Sequence, residues 1–150
     1  MKTELREIND DNRAECIALT VSAEQTQYIS PNADSLKEAE GLPEIARPFA
    51  VYVDGKMVGF TMFAFDEIND DPYRYWLWRL MIGDGFQGKG YGNAELEVII
   101  DYFRENGADE ITLSAKESNT VALALYHKFG FRENGEMNGE EIVLKKPLKK

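Results

Sequence analysis

The sequence predicts a single domain over residues 1–150, an α/β fold in which a mixed sheet carries helices on both faces. Three observations predict it. Two apolar runs, 49–53 and 58–65, flank Asp54-Gly55 and read as a hairpin, so part of the sheet is antiparallel. The aromatic run 75–82 then passes through a glycine-rich loop into a helical segment, which is the strand–loop–helix order of an α/β unit. A second strand and helix follow over 110–129, and 131–144 reads as two more strands.

In chain order, residues 5–8 form a short strand, and Asn9-Asp10-Asp11-Asn12 supplies caps for a helix over 13–21. Residues 22–48 contain Pro31, Gly41, Pro43 and Pro48 and read as a loop with one helical patch at 35–40. After the hairpin, Asn69-Asp70-Asp71-Pro72 breaks the chain before the next strand. In 93–106, Leu96, Ile99, Ile100 and Phe103 recur at spacings of three, four and seven, which makes one apolar helix stripe ending at Gly107. Residues 110–115 form a strand. Asn119 opens the last helix, in which Ala122, Leu125, Tyr126 and Phe129 keep helical spacing and Gly130 is the stop. Asn138-Gly139 is the turn between the closing strands, and Lys145-Lys146-Pro147-Leu148-Lys149-Lys150 reads as a solvated terminus.

The chain has 27 acidic residues against 17 basic ones, a net charge of −10, which disfavours nucleic acid and anionic membranes as partners. No segment is long and apolar enough for a bilayer, and the first ten residues lack the hydrophobic stretch of a secretory signal. The single cysteine, Cys16, suits a reducing compartment, so a cytoplasmic protein is expected. Cys16 and the single histidine, His127, sit in helices without companion motifs and read as structural, and no metal site is expected. Acidic groups concentrate at Glu24, Asp34, Glu38, Glu40 and Glu44, and again at Asp66, Glu67, Asp70 and Asp71. Such clusters are either a solvated face or an attractor of cations.

The segment with the most chemistry is Gln87-Gly88-Lys89-Gly90-Tyr91-Gly92, between a strand and a helix start. Glycines let the backbone approach an oxyanion, and the first amides of a helix have no internal partners, so a phosphate or pyrophosphate is the expected occupant. Residues 83–89 fit G-x-x-x-x-G-K, but position 90 is Gly where a P-loop needs a magnesium-binding hydroxyl. A dinucleotide fingerprint fails too, because Gly88 and Gly90 are followed by Asn93 at the third glycine position.

Gln87, Gly90 and Gly92 also match Q/R-x-x-G-x-G/A. A second pattern, N-x-x-A-x-x-L-Y-x-x-x-G-F, is met by Asn119, Ala122, Leu125, Tyr126, Gly130 and Phe131. On both patterns, in this order and spacing, the chain resembles the GCN5-related N-acetyltransferases, the GNAT family. The resemblance implies a mostly antiparallel sheet of six to seven strands with a parallel central pair, acetyl-coenzyme A as acetyl donor, a small-molecule amine as acceptor, and a homodimer. It places the donor on Leu80, Met81, Ile82, Gln87, Gly88, Lys89, Gly90, Tyr91, Gly92, Asn93, Asn119, Tyr126 and Lys128. It also makes Tyr126 the acid that protonates the departing thiolate, although a tyrosine on this stripe also reads as plain core, and Asn119 also reads as a helix cap.

A carboxylate is common in the middle of the family's core strand, whereas this chain has Trp76-Leu77-Trp78-Arg79 there. A water chain ending on Glu24, Glu38, Asp66 or Glu67 is the expected route for the amine proton. The tryptophan-rich strand and the closing Asn-Gly-Glu segments are similar to those of bacterial polyamine acetyltransferases. That implies spermine or spermidine as acceptor, with Glu24, Tyr28, Glu38 and Trp78 around the amine. A protein amino terminus, a lysine, an aminoglycoside, or a non-catalytic acyl-coenzyme A sensor are the other readings open at this point.

Overall fold

The computed structural model describes residues 1–66 and 74–148, with the side chain of Glu24 outside the description. Seven strands form one sheet in the order β1-β2-β3-β4-β5-β7-β6. The strands are β1 (Thr3–Glu7), β2 (Ala46–Val53), β3 (Lys56–Phe65), β4 (Tyr75–Ile82), β5 (Glu110–Lys116), β6 (Arg132–Asn138) and β7 (Glu141–Pro147). Every neighbouring pair is antiparallel except β4–β5. The helices are α1 (Arg13–Ala18), α2 (Asn32–Glu40), α3 (Tyr91–Glu105) and α4 (Thr120–Lys128).

The helices divide between the faces as their apolar stripes require. Leu96, Ile99, Ile100 and Phe103 of α3 and Tyr126 of α4 share one cluster with Phe63, Leu77, Leu113 and Leu144 of the sheet. Cys16 of α1 and Leu36 of α2 pack with Phe60, Met62 and Met81 on the opposite face. Both Asp54 and Gly55 have positive φ, 51° and 83°, the turn that matches strand twist in a two-residue hairpin.

Several boundaries differ from the sequence reading. Helix α1 stops at Ala18 rather than 21 because buried Asn32 donates to the carbonyls of Cys16 (2.8 Å) and Leu19 (3.4 Å), capping the helix from another element. Helix α2 begins at Asn32, directly after Pro31, three residues before the expected patch. Strand β2 begins at Ala46 and runs through Pro48, which lies just past the last β1 partner, Phe49, and so leaves no β1 ladder bond unmade. The closing turn is Gly139-Glu140, one residue later than expected, since Asn138 and Glu141 are paired. Of the expected solvated terminus, residues 145–148 are instead ordered structure: β7 continues to Pro147, Lys145 donates to Glu110, and Leu148 is buried with its amide on the Asp109 carbonyl. The break expected at Asn69-Asp70-Asp71-Pro72 lies outside the described residues.

Candidate active site

Strand β4 carries the irregularity that makes the site. Phe63 pairs with Leu77 and Met62 with Arg79, so Trp78 is an extra residue on β4. Such a bulge bends its strand and aims two successive side chains to one side. Trp78 packs with the α1–α2 cluster, and Arg79 ion-pairs with Glu38 of α2 at 2.9 Å. The β4–β5 pairing contains one registered couple, Trp76 with Thr112. Beyond it the parallel strands part, and a cavity of about 1100 Å³ opens along the gap.

The cavity reaches both faces of the sheet. On the α3–α4 side its walls include Gln87, Gly88, Gly90, Asn119, Leu125 and Tyr126. On the other side they include Tyr28, Glu38, Trp78, Arg79, Ser114 and Glu141. Side-chain alternation explains the division: Leu113 and Leu144 point into the α3–α4 cluster, so Ser114 and Glu141 point away from it. Two reactants entering from opposite faces would meet in the gap.

The donor side fits a pyrophosphate. Gly88 and Gly90 have φ of 76° and 82°, and a Cβ on either would meet nothing within 4 Å, so the loop presents bare backbone. Helix α3 starts at Tyr91, two residues earlier than the sequence reading, with Gly90 as its left-handed cap. Its first internal bond runs from the Ala94 amide to the Gly90 carbonyl at 3.2 Å, which leaves the amides of Tyr91, Gly92 and Asn93 without a helical partner. Phosphate oxygens are the usual partners of such amides.

The side chains around this loop have several duties. Gln87 donates to Gln25 (2.7 Å) and to the Ile82 carbonyl (3.0 Å), so its amide ties the loop to the preceding segment. Lys128 of α4 donates to Asn93 of α3 at 2.8 Å, joining the two helices at the cavity mouth. Asn119 caps α4 by accepting from the Ala122 amide at 3.5 Å, and it also lines the cavity. Leu80, Met81, Ile82, Tyr91 and Gly92 are wall residues, whereas Lys89 is exposed outside the walls.

Tyr126 is 9% exposed, packs its ring at a tilt of 58° against Phe131 with centroids 5.9 Å apart, and lines the gap. Among the described residues its hydroxyl makes no hydrogen bond, which departs from the expectation for a core tyrosine. Burial, and then the charges of Glu95 and Glu141, push its phenol well above the ordinary value of 10. The proton therefore stays on Tyr126 throughout the neutral range.

Of the expected acceptor residues, Tyr28, Glu38 and Trp78 line the cavity. Tyr28 donates to Ser118 at 3.1 Å. Glu38 is already paired to Arg79, and Asp66 lies outside the cavity walls. Glu67 and the side chain of Glu24 lie outside the described residues. The sequence reading missed Ser114, Glu141 and Arg79. Arg79 entered that reading only as the end of the Trp76-Leu77-Trp78-Arg79 run, Ser114 and Glu141 belong to no motif, and which face of the sheet Glu141 occupies depends on a β5–β7 register that no local pattern shows. Among the described residues no group of His, Cys, Asp and Glu could hold a metal, and no helix is long and apolar enough to cross a membrane. Burial pushes the Cys16 thiol up to about 11, which leaves it unreactive.

A mixed sheet whose one parallel pair parts over a glycine-capped helix, with an unpaired tyrosine in the gap, defines an acyl-coenzyme A-dependent transferase. The chain belongs to the Acetyltransferase (GNAT) family, whose model matches residues 6–131, and acetyl-coenzyme A is its acetyl donor. It is 36% identical over 151 aligned residues to the spermine/spermidine N(1)-acetyltransferase of Bacillus subtilis (strain 168), covering 97% of this chain and 99% of that protein. Its fold matches the spermidine N-acetyltransferase of Vibrio cholerae in complex with CoA and spermine (TM-score 0.70, 22% identity, 95% of this chain and 92% of that one). It also matches the PaiA N-acetyltransferase of Thermoplasma acidophilum in complex with coenzyme A (TM-score 0.73, 16% identity, 99% and 100%).

Proposed function

We propose that this single-domain protein transfers an acetyl group from acetyl-coenzyme A to a primary amine of spermine or spermidine. The observation that carries the reading is a cavity open to both sheet faces, with an anion cradle on one side and carboxylates with tryptophans on the other. The 36% identity to a spermine/spermidine acetyltransferase along nearly the whole chain supports the choice of amine. So does the net charge of −10, since a polycation is drawn toward an acidic surface.

The donor supplies a thioester carbonyl as electrophile. The amides of Tyr91, Gly92 and Asn93 and the bare backbone at Gly88 and Gly90 hold its pyrophosphate, while Leu80, Met81 and Ile82 border the pantetheine path. A backbone N–H near Met81 polarises the thioester carbonyl. Tyr126 keeps a proton at Oη and gives it to the departing sulfur. Trp78 packs against the alkyl chain of the amine and can add cation–π attraction. Glu38 binds an ammonium only by exchanging it for the Arg79 guanidinium, an arrangement that favours a multiply charged amine over a singly charged one.

The protein works in the cytoplasm, without a nucleic-acid or membrane partner, as a homodimer. Thiol release from acetyl-coenzyme A with a panel of spermine, spermidine, diamines, an alanine-ended peptide and an aminoglycoside tests the function. Turnover should be highest with the polyamines. Turnover of the peptide or aminoglycoside alone would overturn the choice of amine, and coenzyme A binding without any turnover would favour a sensor.

A further inference from the structure

We propose that Glu141, held by Ser114, receives the proton of the attacking ammonium; this deepens the acetyl-transfer reading and rests on it. A carboxylate on the acceptor side is needed because an alkylammonium, with a pKa of about 10.4, is protonated at neutral pH and cannot attack. Of the expected carboxylates, the two whose side chains are described do not meet the requirement. Glu38 is neutralised by Arg79, and Asp66 does not line the cavity.

Glu141 does line it. It stands at the start of β7, on the acceptor face, and accepts a hydrogen bond from Ser114 Oγ at 2.6 Å. Ser114 in turn accepts a long contact, 3.4 Å, from Asn138 Nδ2, so the hydroxyl is oriented toward the carboxylate from β6. Among the described residues no Lys or Arg lies within ion-pair distance of Glu141, which leaves it a wall carboxylate without a salt-bridge partner. Its charge is also felt by Tyr126 across the gap, so the two groups bracket the space where donor and acceptor meet.

The other charged groups facing it are few. On β5, Lys116 is its register partner; further along β7, Lys145 is engaged by Glu110. Arg79 and Glu38 pair with each other elsewhere on the cavity wall, Tyr126 approaches from α4, and its β6 partner is the uncharged Asn138.

The proton count closes. An ammonium nitrogen with three hydrogens ends as an amide nitrogen with one. The first proton passes to a Glu141 oxygen and on to solvent, freeing the lone pair that forms the C–N bond. As the C–S bond breaks, Tyr126 Oη protonates sulfur, and the second nitrogen proton restores Tyr126. Glu141 starts and finishes as a carboxylate.

The test compares wild type, Glu141→Gln and Ser114→Ala, reading thiol release against pH with spermidine and with an alanine-ended peptide, and coenzyme A affinity by calorimetry. Glu141→Gln should keep coenzyme A affinity within twofold and lower kcat/KM roughly 10²–10³-fold at pH 7, the size expected of a lost proton acceptor. Its remaining rate should climb tenfold per pH unit, tracking free amine, where the wild type levels off. Ser114→Ala should lose less, about tenfold, with the wild-type profile shape kept. An unchanged Glu141→Gln rate and pH profile would overturn the assignment while leaving acetyl transfer intact. Wild-type turnover of the peptide but not spermidine would overturn only the polyamine reading, with Glu141→Gln then judged on the peptide. A wild type inactive on both would overturn both.

Discussion

Trp76 and Thr112 are the one registered couple between the parallel strands β4 and β5. C-terminal to that couple β4 and β5 no longer pair with each other, residues 77–82 and 114–116 line the cavity, and the backbone groups facing across the gap are free to bond an extended ligand. The opening follows from the Trp78 bulge on β4, which bends that strand where its β5 partner runs on straight.

The unpaired hydroxyl in that opening gives the most direct prediction. Tyr126→Phe should lower kcat roughly 10²-fold or more with acetyl-coenzyme A affinity unchanged, because only proton donation is removed. The raised phenol pKa fixes the sign of the pH effect. Below it Tyr126 keeps the proton that the proposed acid role requires, so no fall in kcat from this group should appear until beyond pH 10. Steady-state kinetics over pH 6–10 check both points.

Glu95 on α3 is 0% exposed, and neither of its carboxylate oxygens has a hydrogen-bond partner among the described residues. Burial raises its pKa well above the ordinary value of 4.5. The folded state therefore binds a proton that the unfolded state releases, and stability is full below about pH 4.5 and falls as pH rises toward the folded value. Glu95→Leu should stabilise the protein at pH 7 by about 1–3 kcal/mol and flatten this slope, as an apolar group replaces an unpaired polar one. Thermal melts at pH 5 and pH 8 decide it.

Gly59 on β3 has no room for a side chain: an added Cβ would lie 2.4 Å from the Met81 carbonyl oxygen and 3.4 Å from a Glu95 oxygen. Since backbone cannot yield cheaply, Gly59→Ala should push β4 away and cost about 1–3 kcal/mol. Because Met81 lines the cavity, the KM for acetyl-coenzyme A should rise with it. Chemical denaturation and donor kinetics on the same variant would show both.

Gly90 makes the opposite case. A Cβ there meets nothing within 4 Å, but φ is 82°, so Gly90→Ala pays only the left-handed backbone cost of about 1–2 kcal/mol. The loop should relax away from this conformation and weaken coenzyme A several-fold by calorimetry, while α3 remains folded by circular dichroism.

Much of the fold was legible beforehand. The spacing of Leu96, Ile99, Ile100 and Phe103 gave α3 and its buried face, and Asp54-Gly55 gave the hairpin, because both signals are local. The family was legible from two short patterns whose first residues, Gln87 and Asn119, stand 32 positions apart. The end of α1 was not, because its cap comes from Asn32 on another helix. Glu141 was not, because its partner Ser114 is on a strand that lies next to β7 only after β6 has been placed at the edge.

The sequence by itself therefore determined the elements, the glycine cradle and the tyrosine, all of which depend on neighbours within one or two turns of chain. Only the tertiary structure decided that Glu38 is occupied by Arg79, that Glu141 meets Ser114 rather than a cation on the cavity wall, and that the cavity reaches both faces. The physical reason is register. Which side of a sheet a strand residue faces, and which charge it meets there, depends on bulges and pairings set by strands far away in sequence.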